Sequence, residues 1–163
     1  MCKEMMGQRN KIKTMLDEAL NKCLEKIRAN GGYDTPIVIV DMEKLFIANR
    51  EYFEHQGFFF ESHTKIVNNR IKCYAKMKLG GDGELAREFW KKIREAREVF
   101  VKNQRKKICD YLREATGSYI LVDLNDLLFE NKMYFEECGF VFEPKTTIED
   151  GEVQYLVCMR KRR

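Results

Sequence analysis

The stretch DMEKLFIANREYFEHQGFFFE at residues 41–61 recurs in the same chain as DLNDLLFENKMYFEECGFVFE at residues 123–143. Extended in both directions, residues 37–78 align on residues 119–160 without a gap, at a constant offset of 82, and 14 of these 42 positions are identical. Self-similarity on this scale is typical of an internal duplication. The chain is therefore predicted to contain one module written twice.

The first half of each copy shows a helix and then a strand. An amphipathic helix comes first, with apolar residues every three or four positions, as at Ile12, Leu16, Ala19, Cys23 and Ile27. Upstream of the gapless alignment, KCLEKIRANGG at 22–32 resembles KICDYLREATG at 107–117. The apolar runs PIVIV and SYILV then predict short buried strands. Asp41 and Asp123 follow these runs at positions typical of helix N-caps.

The second half of each copy shows a short helix and a hairpin. Gly57 and Gly139 end the helix, and Asn68-Asn69 and Asp150-Gly151 are turn pairs that tolerate positive φ. Strict alternation after each turn predicts a half-buried strand. The sequence thus predicts an α+β fold with two tandem helix–strand–helix–strand–strand modules at 1–79 and 84–163. We expect them to pack about a pseudo-two-fold axis as one compact unit, linked by a long helix over 84–115 that is either continuous or broken near KNQRKK at 102–107.

Composition narrows the class of protein. A chain of 163 residues with 44% hydrophobic content can build a core. Thirty basic against 26 acidic residues leave a net charge of +4, which by itself does not define a nucleic-acid binder. The six cysteines form no CxxC pair, and no apolar stretch has the length of a signal core or a membrane span. We expect a soluble, intracellular protein from a reducing compartment, with the virion as an alternative location.

No residue pattern predicts catalysis or a metal site. His55 and His63 have no histidine counterpart in the second copy, and with Cys73 they do not match a zinc spacing. The duplicated acids, including Glu61 and Glu143, are better explained as caps and strand residues than as an acid–base pair. We therefore predict no catalytic residue, no metal and no cofactor.

Asn49 and Asn131 interrupt the apolar stripe of the short helix at the same position in both copies. A buried amide needs hydrogen-bond partners. We predict that each binds the neighbouring strand or loop; the alternative is a polar contact across the interface between the modules.

The candidate partner-binding residues are three basic clusters and one aromatic side chain. The strand cluster is interleaved with a tyrosine, and its lysines have the alternative role of protecting an exposed strand edge. The other clusters lie on the long helix and at the end of the sequence. The candidates are Lys72, Tyr74, Lys76 and Lys78; Lys102, Arg105 and Lys106; Arg160, Lys161, Arg162 and Arg163; and Trp90.

The repeated pattern L-x(6)-Y-F-x(3)-G-F-x-F, followed by a hairpin, resembles small modules common among proteins encoded by tailed phages and large DNA viruses. The chain departs from that form by being doubled and by carrying Met77 and Met159 where a tryptophan often ends the last strand. The resemblance implies an accessory or virion component with a binding or assembly role, and it assigns no site residue. The matching residues are Leu45, Tyr52, Gly57, Phe58 and Phe60, then Leu127, Tyr134, Gly139, Phe140 and Phe142.

Three functions follow in order of preference. The first is a non-enzymatic interaction or structural protein of viral type that presents two related surfaces to a protein partner or an assembly neighbour, including its own oligomer. The alternative is a nucleic-acid-binding accessory protein that uses the basic strand, helix and tail. The third is an enzyme with an unrecognised site between the modules.

Overall fold

The computed structural model describes residues 2–32 and 34–163, which form the predicted α+β fold. The two long helices are α1 and α3, and each is followed by a strand, a short helix and a hairpin. The elements are α1 Lys3–Asn30, β1 Ile37–Asp41, α2 Ile47–His55, β2 Phe58–Val67, β3 Arg70–Leu79, α3 Glu84–Glu114, β4 Tyr119–Asp123, α4 Phe129–Glu137, β5 Phe140–Glu149 and β6 Glu152–Lys161.

The duplication is confirmed element by element. From β1 to β3, every element begins and ends 82 residues before its counterpart between β4 and β6. The sheets have the orders β1-β3-β2 and β4-β6-β5, and all neighbouring strands are antiparallel. Both hairpin turns have positive φ at Asn68-Asn69 and Asp150-Gly151, as in the tight turns that match the twist of a hairpin. The predicted turn pairs are therefore confirmed.

The chain divides into two compact units, Met1–Arg97 (the first unit) and Glu98–Arg163 (the second unit). The boundary lies inside α3, whereas the sequence analysis placed it before this helix. The reason is that Ala86, Phe89 and Ile93, from the first half of α3, fill the core of the first unit. Helix α3 is continuous through residues 102–107. The packing of the modules as one compact unit stays a prediction.

Each unit buries one face of its sheet against helices. In the first unit Phe58 contacts both Phe53 and Phe89 edge to face, with ring centroids 6.4 and 5.6 Å apart. In the second unit Phe135 and Phe140 repeat the first of these contacts at 5.9 Å. Such aromatic pairs stabilise a core beyond the area they bury. The second core is the smaller one and contains Ile108, Val122, Leu127, Phe135 and Met159.

Asp41 and Asp123 are not helix N-caps, so that prediction is wrong. Helices α2 and α4 begin only at Ile47 and Phe129, and no side chain caps them. Instead, Oδ1 of Asp41 accepts a hydrogen bond from the backbone N–H two residues later, at 3.0 Å, and Asp123 does the same at 2.9 Å. The carboxylates stabilise the turn that redirects the chain as it leaves the strand.

The prediction that PIVIV is a buried strand is correct for one face only. Val38 and Val40 are 4% and 7% exposed, but Ile37 and Ile39 are 48% and 40% exposed. Successive side chains of a strand point to opposite faces, and the helices of the unit cover only one of them. The apolar run therefore leaves two isoleucines on the other face.

Candidate functional site

The two predicted buried asparagines join helix to helix. Asn49 of α2 is completely buried, and its Oδ1 accepts a hydrogen bond from Nε of Arg9 on α1 at 3.0 Å. Its Nδ2 donates to the carbonyl of Met5 and to Oε1 of Gln8, both at 2.9 Å. The predicted partners on a strand or loop were wrong, because the amide faces α1.

The second unit repeats this arrangement on α3. Asn131 is also completely buried, and its Oδ1 accepts from Nε of Arg105 at 3.2 Å. Its Nδ2 donates to the carbonyl of Val101 at 3.0 Å. Each amide therefore holds its short helix to the long helix within one unit.

The same arginines cover tyrosine rings. The guanidinium of Arg9 lies 4.0 Å from the ring centroid of Tyr52, and that of Arg105 lies 3.9 Å from the ring centroid of Tyr134. This is the geometry of a cation–π contact. Arg105, a predicted partner-binding residue, is thus engaged by Asn131 and Tyr134 inside its own unit.

These contacts define which parts of α1 and α3 correspond. Arg9 and Arg105 are 96 positions apart, and both lie in the pattern Q-R-x-K-I, at 8–12 and 104–108. This equivalence has an offset of 96, whereas the resemblance of 22–32 to 107–117 has an offset of 85. The shared Q-R-x-K-I pattern was the available signal for Arg9, which the sequence analysis missed.

The face of each sheet opposite the helices is called here the open face. Its members follow from the antiparallel register, since residues directly opposite each other share a face. Three of its apolar side chains in the first unit, Ile37, Ile39 and Phe59, are 40 to 48% exposed. The open face of the first unit contains Ile37, Ile39 and Asp41 of β1; Arg70, Lys72, Tyr74, Lys76 and Lys78 of β3; and Phe59, Glu61, His63, Lys65 and Val67 of β2.

The open face of the second unit is built from the equivalent positions. Tyr119 and Leu121 replace the two isoleucines and are 50% and 44% exposed. Apolar character is therefore kept at the edge strand of both open faces. The members are Tyr119, Leu121 and Asp123 of β4; Glu152, Gln154, Leu156, Cys158 and Arg160 of β6; and Val141, Glu143, Lys145, Thr147 and Glu149 of β5.

An ion pair lies at the same place on each open face. Nζ of Lys78 binds the carboxylate of Glu61, and Nη2 of Arg160 lies 2.6 Å from Oε1 of Glu143. The hydrogen bond from Lys78 lowers the pKa of the Glu61 carboxyl below its usual value. The duplicated glutamates are thus accounted for by these pairs, which as exposed ion pairs contribute little to stability.

The predicted strand cluster lies together on the open face of the first unit. Lys72 is exposed, and Tyr74, Lys76 and Lys78 are half-buried. The alternative role of edge protection is wrong, because β3 is the central strand and pairs on both sides. Trp90 is half-buried against the core of the first unit.

The remaining candidates lie in the second unit. Lys102 and Lys106 are exposed on α3. The end of the sequence is held by the sheet, since the N–H of Arg162 donates to the carbonyl of Gly139 at 2.7 Å. A cleft of about 400 Å³ is lined there by Ser118, Arg160, Lys161 and Arg163. Three of the four residues of the terminal cluster, Arg160, Lys161 and Arg163, therefore line one basic cleft.

A second cleft, of about 290 Å³, lies in the first unit. Its lining includes the acids Asp17, Glu84 and Glu88 beside Lys13 and Tyr52. All three acids are exposed.

Three findings concern metal ligands, one buried thiol and membrane-spanning helices. No group of three or more His, Cys, Asp or Glu side chains within 2–32 and 34–163 is arranged to hold a metal ion. Burial raises the pKa of the Cys23 thiol to about 11, so this group is a thiol near neutral pH. In the same ranges, no helix combines the length and the apolar character that a membrane crossing requires.

Comparisons with known proteins add no relative. No protein-family model, curated protein or solved structure matched the chain. The resemblance to phage and viral modules stays an expectation from the repeated motif. Function is therefore inferred from the geometry of the surface.

Proposed function

We propose that this chain is a non-enzymatic interaction or structural protein of viral type, and that its two open faces are its related binding surfaces. The observation that carries the proposal is the exposure of Ile37 and Ile39 within the run PIVIV. In parallel sheets, continuous apolar runs belong to strands that are covered on both faces, whereas an antiparallel sheet with one solvated face normally carries polar residues on that face. The chain covers one face, and a partner supplies the second cover.

The second unit supports the same interpretation. Tyr119 and Leu121 occupy the equivalent positions, and they are both apolar and exposed. Single exposed apolar residues are common on any protein, whereas contiguous exposed apolar surface marks interaction sites. Recurrence in both copies favours selection for binding over coincidence.

The composition of the open faces also fits a protein interface. Phe59, Tyr74 and Tyr119 contribute aromatic rings, a residue type enriched in interfaces. In the first unit, the ion pair between Glu61 and Lys78 lies beside Phe59, which is directly opposite Lys78, and is already formed within the sheet. A partner therefore meets a preformed surface.

Site-specific photo-crosslinking tests this proposal. Benzoylphenylalanine at Phe59 or at Tyr119, in the full chain and in the cells where the gene is naturally expressed, is expected to give discrete protein adducts. The matched control is Tyr111, a tyrosine on α3 that is 49% exposed, against 50% for Tyr119. Adducts at Tyr111 equal to those at the open faces, or no adducts at the open faces, would contradict the proposal.

The basic cleft at Arg160, Lys161 and Arg163 favours nucleic-acid binding as a second candidate function. Each phosphate contact on duplex DNA lowers the slope of log affinity against log salt by about 0.9. Replacing Arg160, Lys161 and Arg163 with Gln is expected to reduce the steepness of that slope by about 2 to 3. The measurement is a salt titration of binding to a fluorescent duplex. No binding at low salt would exclude this candidate.

A further inference from the structure

We infer that the open faces bind each other between copies of this chain: the basic open face of the first unit packs against the acidic open face of the second unit of another copy. The inference rests on the proposed function and names the partner of the same surfaces. It predicts head-to-tail assembly, because each copy carries one face of each kind.

The two open faces have opposite charge although they are duplicates. The first carries five basic side chains, Lys65, Arg70, Lys72, Lys76 and Lys78, against the acids Asp41 and Glu61. The second carries four acidic side chains, Asp123, Glu143, Glu149 and Glu152, against the bases Lys145 and Arg160. Complementary charge favours the pairing of unlike faces and disfavours the pairing of like faces.

The difference in charge is concentrated near the hairpin turns. Arg70 of the first unit is replaced by Glu152 in the second, and Val67 is replaced by Glu149. These positions follow the same offset of 82 and the same register. The charge is therefore more negative in the second unit at both of these equivalent positions.

Like charges also lie directly opposite each other on each hairpin. Lys65 lies opposite Lys72 on the first open face, and Glu149 lies opposite Glu152 on the second. Like charges in direct cross-strand pairs destabilise a hairpin. Within the described part of the chain, none of these four side chains forms an ion pair. An opposing face of the other sign relieves both repulsions.

Apolar residues of the two open faces also meet when the first open face of one copy packs against the second open face of another. Ile37 and Ile39 lie at one edge of the first open face, away from the charged turn, and Phe59 lies on the strand at the other edge. When the two open faces pack with aligned strands and both hairpin turns at the same end, the order of strands in one sheet is reversed relative to the other. Ile37 then lies opposite Val141, and Phe59 lies opposite Tyr119.

Charge-reversed variants test the inference. The first-face variant is Lys65→Glu with Lys72→Glu, and the second-face variant is Glu149→Lys with Glu152→Lys, each in the full chain. Wild-type protein is expected to form oligomers in a concentration-dependent way in sedimentation velocity at low salt. Each variant alone is expected to raise the dissociation constant on the order of a hundredfold, because its two faces now carry the same sign. An equal mixture of the two variants is expected to associate again, since it contains one native interface.

The control variant makes the same change of charge outside the open faces. Lys11→Glu with Lys22→Glu alters two exposed lysines of α1 and is expected to leave association unchanged. Circular dichroism verifies folding; if the first-face variant fails to fold, Lys65→Gln with Lys72→Gln replaces it, with a smaller expected loss. Each sample is measured before and after nuclease treatment.

Four outcomes overturn the inference: wild-type protein that stays monomeric up to about 1 mM, association lost after nuclease treatment, equal effects of the first-face and control variants, or a variant mixture that does not associate. Crosslinks from the open faces to a different protein would then still support the proposed function. Self-association with no open-face crosslinks would instead contradict both.

Discussion

Asn49→Ala is expected to lower the free energy of unfolding by about 3 kcal/mol or more. The change removes three hydrogen bonds at a completely buried amide and leaves Nε of Arg9, the Met5 carbonyl and the Gln8 side chain without that partner. Partly buried polar groups that lose their partner cost more than the bond itself contributes. Urea unfolding followed by Trp90 fluorescence measures the loss, because this single tryptophan packs against the core of the first unit.

Two further variants make this result specific. Asn10→Ala, at an exposed position of α1, is expected to change stability by no more than about 0.5 kcal/mol. Asn49→Asp keeps an acceptor for Arg9 but cannot donate to Met5 and Gln8, so it is expected to lose stability at neutral pH as well. If Asn49→Ala and Asn10→Ala were equally stable, the amide would not be the link between α1 and α2.

The sequence predicted the framework well because local patterns encode it. Alternation of Ala75 and Met77 with Lys76 and Lys78 correctly assigned the two faces of the central strand. The constant offset of 82 predicted the same strand order in both sheets. Alternation along one strand is sufficient for the first conclusion, and the similarity between the two copies is sufficient for the second.

The open faces and the arginine contacts were less accessible to sequence reasoning. The run at Ile37 and Ile39 is apolar at every position, so it contains no alternation that separates a covered face from an exposed one. Arg9, which donates a hydrogen bond to Asn49, lies 40 residues earlier in the sequence, on α1. Its equivalence to Arg105 follows an offset of 96, which a search at 82 does not register. Contacts that long polar side chains make with distant parts of the chain produce no periodic pattern in the nearby sequence.

The turn residues show a third limit of sequence reasoning. An aspartate after a strand and before a helix has two uses, to cap the helix or to stabilise a turn. Asp41 and Asp123 do the second, because several residues separate each from its helix. The number of residues needed to redirect the chain depends on where the helix packs, which the local sequence does not state.

Gly57→Ala is expected to destabilise the first unit by about 3 to 5 kcal/mol, whereas Gly139→Ala costs the second unit about 1 to 2 kcal/mol. The two glycines are equivalent and have almost the same positive φ, +96° and +94°, so their backbone strain is equal. Their surroundings differ. A Cβ on Gly57 would lie 2.4 Å from Cβ of Ala86, while a Cβ on Gly139 would meet nothing within 4 Å.

The extra cost arises where α3 begins. The carbonyl of Gly57 accepts hydrogen bonds from the N–H groups of Gly80 and Gly81 at 3.1 and 2.8 Å, and the carbonyl of Gln56 accepts one from Ala86 at 3.0 Å. The backbone at Gln56 and Gly57 cannot move away from a new methyl group without breaking those hydrogen bonds. Displacement of the first turn of α3 would also weaken the contact of Phe89 with the core.

A compensating variant isolates the steric part of this prediction. Ala86→Gly removes the atom at 2.4 Å, so Gly57→Ala combined with Ala86→Gly is expected to recover about 1 kcal/mol or more relative to Gly57→Ala alone. The recovery is partial, because glycine within a helix costs about 1 kcal/mol and the positive φ is unchanged. Urea unfolding of the four proteins, with Trp90 fluorescence as the signal, measures the cycle. Equal losses for Gly57→Ala and Gly139→Ala, or additive effects in the double variant, would show that close packing against Ala86 does not require glycine at position 57.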